Sequence, residues 1–290
     1  MENVTDICWQ VRSPELEILL TDDCMIETLE PGFEAQVFKL LAGGKPYVLK
    51  WWNRESKPDM ELQYNVLSML HQHKLAVSNV YGYGTYQDHG VLLTSYDGKP
   101  IRKITTPHVS LLARELAGLH KLATDELQEV DIPAYGQKSY FYSGIDQYAE
   151  LSDALDELIR HIQWREPSII HGDYHLANIV YDGARYTIID WTNVQQMDAR
   201  LDLAWALLIL QFYVSPRYER VFRQTYLDIQ PQANDQLDAF TGLAFLRWLM
   251  QYEKGHTPRI PGARKRAQEL VQHNKWLQQH TDLFSKWIGK

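Results

Sequence analysis

The chain has 290 residues, 45% of them hydrophobic and 12% aromatic, with a formal net charge of −8. That length and apolar content suffice for a large core and two lobes, while the acidic balance argues against a nucleic-acid binder and is compatible with cationic small partners. No apolar run is long enough to span a bilayer, and two cysteines, Cys8 and Cys24, without a leader-like N-terminal stretch predict free thiols in a reducing cytoplasm.

Strands and turns dominate from about residue 25 to residue 96. Leu29 to Gln36 reads as a turn with one glycine, Gly32, so few amides there are free of side-chain obstruction. Gln36 to Leu40 alternates as a strand, Gly43-Gly44 is the turn after it, and Tyr47 to Trp52 is the returning strand, carrying Lys50. A helix is predicted from about Pro58 to His73, then a strand from Gly90 to Tyr96 that ends in Asp97-Gly98-Lys99-Pro100. From there helices take over. Thr106-Pro107 supplies a cap and a first-turn proline for Val109 to Leu122, and Ile145 to Trp164, Leu201 to Tyr213, Asp235 to Tyr252 and Ala263 to Gln279 follow with apolar residues at helical spacing. The sequence therefore divides into 1–96 and 97–290, in the α+β class.

Chemistry concentrates between the second and third of those helices. His171-Gly172-Asp173-Tyr174-His175-Leu176-Ala177-Asn178 is followed by an apolar strand ending in Asp190. Phosphoryl transfer from a nucleotide needs a carboxylate beside the attacking hydroxyl, and an amide oxygen and a second carboxylate to hold magnesium. Asn178 to Tyr181 and Tyr186 to Ile189 read as two strands joined by the hairpin turn Asp182-Gly183, which brings Asn178 and Asp190 together at the open end. Each of these residues alone is usually a turn cap, but the octet, the distance to the second Asp and the hairpin together carry the functional reading. His171 reads as a support for the backbone, and His175 as a substrate contact or a brace.

The octet with Ile189-Asp190-Trp191 resembles the aminoglycoside phosphotransferase and choline kinase group of small-molecule kinases, whose signature runs H-G-D-x-H-x-x-N and then I-D-W. Asp198-Ala199-Arg200-Leu201-Asp202-Leu203-Ala204 is similar to a further segment of that family, with Ala199 where Pro is common. The resemblance implies a two-lobed protein-kinase-like fold: a small antiparallel-sheet lobe with one main helix, and a larger helical lobe. It implies Asp173 as catalytic base, Asn178 and Asp190 as magnesium ligands, and Lys50 on the nucleotide phosphates beneath the Gly32 turn. It also implies main-chain contacts around Ser95 and Asp97 to the base of ATP or GTP, and a helix Glu paired with Lys50. For that last role the chain offers Glu61, with Gln63 at the counted position. They lie about 200° apart on a helix and cannot both face the lysine.

The expected reaction moves a γ-phosphoryl group to a hydroxyl of a small molecule: an aminoglycoside or other antibiotic, an amino alcohol, or a sugar-like acceptor. A protein serine/threonine kinase of the same fold and a nucleotide-binding regulator without turnover are the alternatives. No nucleic-acid or membrane partner is expected, and the sequence carries no statement of oligomeric state. His71 and His73 lack a third ligand and read as solvated. Asp202, polar in the apolar run Leu201 to Leu208, needs partners if buried and is expected to accept hydrogen bonds from the catalytic-loop backbone.

Overall fold

The computed structural model describes residues 3–21, 24–29, 35–53, 58–101, 103–122 and 130–289. In chain order these form β1 (Cys8–Arg12), α1 (Pro14–Leu19), β2 (Met25–Thr28), β3 (Gln36–Ala42), β4 (Lys45–Trp51), α2 (Met60–Gln72), β5 (Val80–Tyr86), β6 (His89–Ser95) and β7 (Lys99–Pro100). There follow α3 (Thr106–Leu119), α4 (Gln137–Phe141), α5 (Ala149–His161), β8 (Ser168–Ile170), β9 (Ile179–Tyr181), β10 (Tyr186–Ile188) and β11 (Gln195–Met197). The last helices are α6 (Arg200–Ile209), α7 (Pro216–Ile229), α8 (Asn234–Glu253), α9 (Pro261–His273) and α10 (Thr281–Gly289). Two units result: Met1–Ile101 with Leu127–Ile132 and Leu176–Thr192, and Arg102–Glu126 with Pro133–His175 and Asn193–Lys290. Among the described residues no helix is long and apolar enough to cross a membrane.

The first unit is built on a six-stranded sheet of order β1-β5-β6-β4-β3-β2, antiparallel at every pairing. Strand side chains alternate between faces. Phe38, Leu40 and Ala42 of β3 and Tyr47, Leu49 and Trp51 of β4 therefore share one face, where they pack with Leu16 and Leu19 of α1. Lys50, out of phase with that set, lies on the other face. Helix α2 starts at Asp59, whose carboxylate accepts the Leu62 N–H at 3.0 Å, and buries Gln63, Val66, Leu67 and Leu70. A smaller sheet orders β10-β9-β7. Lys99 and Pro100 pair with Tyr181 and Val180, which ties the β9–β10 hairpin to this unit.

The second unit is mainly helical. Helix α8 is apolar on nearly every side, as a central helix must be, and Phe240, Leu243, Phe245, Leu246, Trp248 and Leu249 have no exposed surface. Around it α5, α6, α9 and α10 contribute to one core. The predicted helix over 201–213 is α-helical only to Ile209 and continues as a π turn over Leu210–Val214. The Phe212 carbonyl there accepts a bond from Arg266 at 2.6 Å, satisfying a group that the widened turn frees from the usual ladder. The two-stranded pair β8–β11 sets Ile170 opposite Gln195 and delivers the chain to His171.

Candidate active site

In the first unit the β9–β10 hairpin does what its sequence predicts. Ile179 faces Ile188 in the antiparallel register, and the Asn178 carbonyl accepts the Ile189 N–H at 2.9 Å. Asn178 is thereby paired with Ile189, the residue before Asp190. The returning strand is held from outside as well: the Ile188 N–H donates to Ala76 O at 2.6 Å, and Arg185 donates to Leu75 O and Val77 O. Asp190 then turns into the left-handed region at φ +69. Such a conformation is uncommon outside glycine, though Asp tolerates it better than most residues.

Lys50 reaches this point from a place 140 residues earlier in the chain, its Nζ 3.4 Å from Asp190 Oδ1. The lysine side chain is 19% exposed and the Asp190 carboxylate 40% exposed, so the pair is open to a ligand. Among the described residues Asp190 is the carboxylate paired with Lys50. Glu61, in the first turn of α2, is exposed, whereas Gln63 is buried. Ser95 ends β6 with its groups engaged: its N–H donates to Asn79 O, its hydroxyl accepts the Asn79 N–H at 2.9 Å, and the same hydroxyl donates to the Asp97 carboxylate at 2.9 Å. Burial raises the Asp97 carboxyl above its ordinary range, only partly offset by hydrogen bonds from Ser78 and Ser95. Gly32 lies outside the described residues.

In the second unit the backbone at His171 and Gly172 is anchored by Asp202 as expected. Its carboxylate accepts the His171 N–H at 2.6 Å and the Gly172 N–H at 2.8 Å, and His120 of α3 approaches it at 3.4 Å. His171 is fully buried and its Nδ1 accepts the Asp173 N–H at 3.2 Å. Tyr174 ties the loop to α3 through Leu112 O at 2.9 Å. Gly172 stands at φ +79, and a Cβ there would lie 2.4 Å from the Asn193 carbonyl oxygen. The arginine that protein kinases carry at this point has no room here.

Asp173 is surrounded by donors. Oδ1 accepts the Trp205 indole N–H at 2.8 Å and lies 3.4 Å from an Arg247 amino group, and Oδ2 is 3.2 Å from His175 Nε2. Burial by itself would raise this carboxyl, but the His175 hydrogen bond and the His175 and Arg247 charges hold it well below the usual carboxylate range. Neither Trp205 nor Arg247 was expected at the site. Trp205 reads as core from its apolar neighbours, and Arg247 is hidden in a helix recognised by its apolar spacing. The available signal was a lone arginine inside Leu243 to Met250, a charge too costly to bury without partners.

A sheet unit carrying a strand lysine opposite a metal-type Asp, and a helical unit carrying a braced H-G-D loop, define a phosphotransferase with a protein-kinase-like fold. The sequence profile of the phosphotransferase enzyme family matches residues 26–240, and the chain belongs to that family. No curated protein matches the chain in sequence. Among solved structures, a thermostable aminoglycoside phosphotransferase in ternary complex with ADP and hygromycin B is similar with a TM-score of 0.64 at 15% identity, covering 86% of this chain and 93% of its own. An amicoumacin kinase in complex with AMP-PNP, Ca2+ and Ami is similar with a TM-score of 0.63 at 13% identity, covering 84% and 87%. A macrolide 2'-phosphotransferase from Brachybacterium faecium gives 0.57 at 19% identity, covering 86% and 94%.

Proposed function

We propose that this phosphotransferase moves the γ-phosphoryl group of ATP to a hydroxyl of a small molecule, with Asp173 as the catalytic residue. The observation that carries the reading is the meeting of Lys50 with Asp190 across 140 residues, beside Asn178. One carboxylate and one carboxamide form an all-oxygen donor set that suits a hard divalent cation completed by substrate phosphates. Asp190 and Asn178 would hold magnesium, which when bound neutralises charge on the phosphates. Lys50 would bind the phosphate oxygens once a nucleotide draws it from Asp190. Asp173 would orient the acceptor hydroxyl and take its proton, and its low proton affinity makes orientation the larger part of that role.

On α2, burial supports Gln63 over Glu61 as the residue that faces the nucleotide side. Because the Ser95 N–H is committed to Asn79, the main chain at Asp97 is the better placed to meet the nucleotide base. The proposed nucleotide-binding part is the first unit, which extends past the boundary near residue 96 to Ile101 and takes in Leu176–Thr192, and the helical unit would receive the acceptor. Cys8 and Cys24 are both free, which supports a cytoplasmic setting. The neighbours' small-molecule substrates support a small acceptor over a protein one.

The test measures consumption of ATP and of GTP with magnesium, across aminoglycosides and other antibiotics, amino alcohols, sugars and a generic protein acceptor. ATP use with one small-molecule class is expected. Asp173→Asn should lower turnover by about 10²- to 10⁴-fold, the range for loss of a positioned acid–base group, and Asp190→Asn should abolish metal-dependent turnover. Phosphorylation of the protein acceptor alone would favour the protein-kinase reading, and unimpaired transfer by Asp173→Asn would end the assignment.

A further inference from the structure

Helix α8 carries a single arginine, Arg247, between Leu246 and Trp248, both fully buried. A guanidinium in such a position needs partners on every side, and it has them. The Trp205 ring covers it at 4.2 Å and the Phe141 ring lies 4.5 Å away. One amino group donates to the Gly172 carbonyl at 2.8 Å, and the other faces Asp173 Oδ1 at 3.4 Å. The side chain is only 11% exposed. Its guanidinium plane and both amino groups are thus engaged inside the protein, and Trp205, packed on it, gives its own N–H to the same carboxylate oxygen.

We propose that Arg247 is a positioning residue for phosphoryl transfer: held between Phe141 and Trp205, it locks the Gly172 carbonyl and the Asp173 carboxylate into one orientation. This rests on the assignment of Asp173 as the residue that orients the attacking hydroxyl. Two donors meet at Oδ1, and His175 Nε2 approaches Oδ2 at 3.2 Å, so both oxygens of the carboxylate are held by groups of this unit. Among the described groups facing the carboxylate are Arg247 from α8, Trp205 from α6, and His175 and His171 from its own loop. Arg247 carries a permanent charge, and His171 faces the loop through a ring nitrogen that accepts. A fork of two donors suits this work better than a lysine's single ammonium.

Arg247→Met and Arg247→Lys in the full chain test the proposal beside Asp173→Asn. The first readout does not depend on turnover: the titration midpoint of the Asp173 carboxyl by carbon NMR, assigned by the signal that Asp173→Asn removes. The midpoint should rise by roughly one pH unit or more in Arg247→Met, as loss of an opposite charge at this range implies, and stay near the wild-type position in Arg247→Lys. The second readout is ATP turnover. In Arg247→Met kcat should fall about 10- to 100-fold with KM for ATP within twofold, the pattern of a misplaced catalytic group, and Arg247→Lys should recover only part of it. A folded Arg247→Met with an unmoved midpoint, or with unchanged kcat, overturns the proposal. If Arg247→Met does not fold, Phe141→Leu takes its place: lower kcat at unchanged KM supports the clamp, and unchanged kcat overturns it. Wild-type protein that consumes no ATP with any of the acceptors sinks the phosphotransfer reading, and the clamp's catalytic meaning with it, even where the midpoint moves. An unmoved midpoint in an active enzyme sinks the clamp alone.

Discussion

Asp97 and Asp173 are the same side chain driven in opposite directions by their surroundings. Around Asp97 burial outweighs the bonds from Ser78 and Ser95 and raises the carboxyl. Around Asp173 burial is outweighed by His175 and Arg247. A raised carboxyl binds its proton more tightly in the folded than in the unfolded chain, so its contribution favours folding in acid and declines as pH rises from the ordinary carboxylate value of about 4. Asp97→Asn removes that dependence. Wild type should therefore lose stability relative to Asp97→Asn as pH rises from about 4, read from urea unfolding in acid and at neutral pH; a difference that does not change with pH would refute it. The same scale shows what sequence could reveal. Asp173, Asn178 and Asp190 could be proposed from sequence because their spacing is local, whereas the Arg247 contact spans 74 residues and leaves no trace in any short window.

Elements with a strong period were legible and those made by pairing were not. Strands β3 and β4, helix α2 and helix α8 lie within a few residues of their predicted places, because alternation and helical spacing each show within a dozen residues. Helix α7 escaped notice although Ser215 caps it, accepting the Arg217 N–H at 3.1 Å, and Pro216 opens it. Its apolar stripe rests on Phe222 and Tyr226, set among charged residues that dilute the pattern. Strand β7 is two residues long and exists because β9 lies against it. That approach leaves no room at Gly98, where φ is +108 and a Cβ would sit 2.1 Å from the Tyr181 carbonyl oxygen. Gly98→Ala should separate the two backbones and destabilise the protein by about 2 kcal/mol or more, combining left-handed strain with overpacking. Because β9 begins one residue after Asn178, affinity for magnesium and ATP should fall with it. Urea unfolding within about 0.5 kcal/mol of wild type, the margin for an ordinary surface change, would show that the strands yield freely.

At the scale of the whole molecule, a chain of net charge −8 that takes up a polyanionic nucleotide must bind it against its own long-range field. Screening confines that field to about 8 Å at physiological salt, so the local cations decide the outcome. Lys50 is a described cation at the proposed metal ligands, 3.4 Å from Asp190. The membership of Leu176–Thr192 in the first unit gathers Lys50, Asn178 and Asp190 into one folding body, and no local signal announces it, since the pairing of Lys99 with Tyr181 crosses much of the chain. A ligand that binds only the folded state stabilises it by about 2.7 kcal/mol at a hundred times its dissociation constant. For a protein of this size that corresponds to a rise in Tm of roughly 5 °C. Wild-type protein should show this rise with ATP and magnesium together and a smaller one with ATP alone. Lys50→Ala and Asp190→Asn should lose most of it, Glu61→Ala should retain it, and Gln63→Ala should reduce it. An equal rise in wild type and Asp190→Asn would move the nucleotide away from this carboxylate, and a loss in Glu61→Ala with none in Gln63→Ala would reverse the assignment on α2.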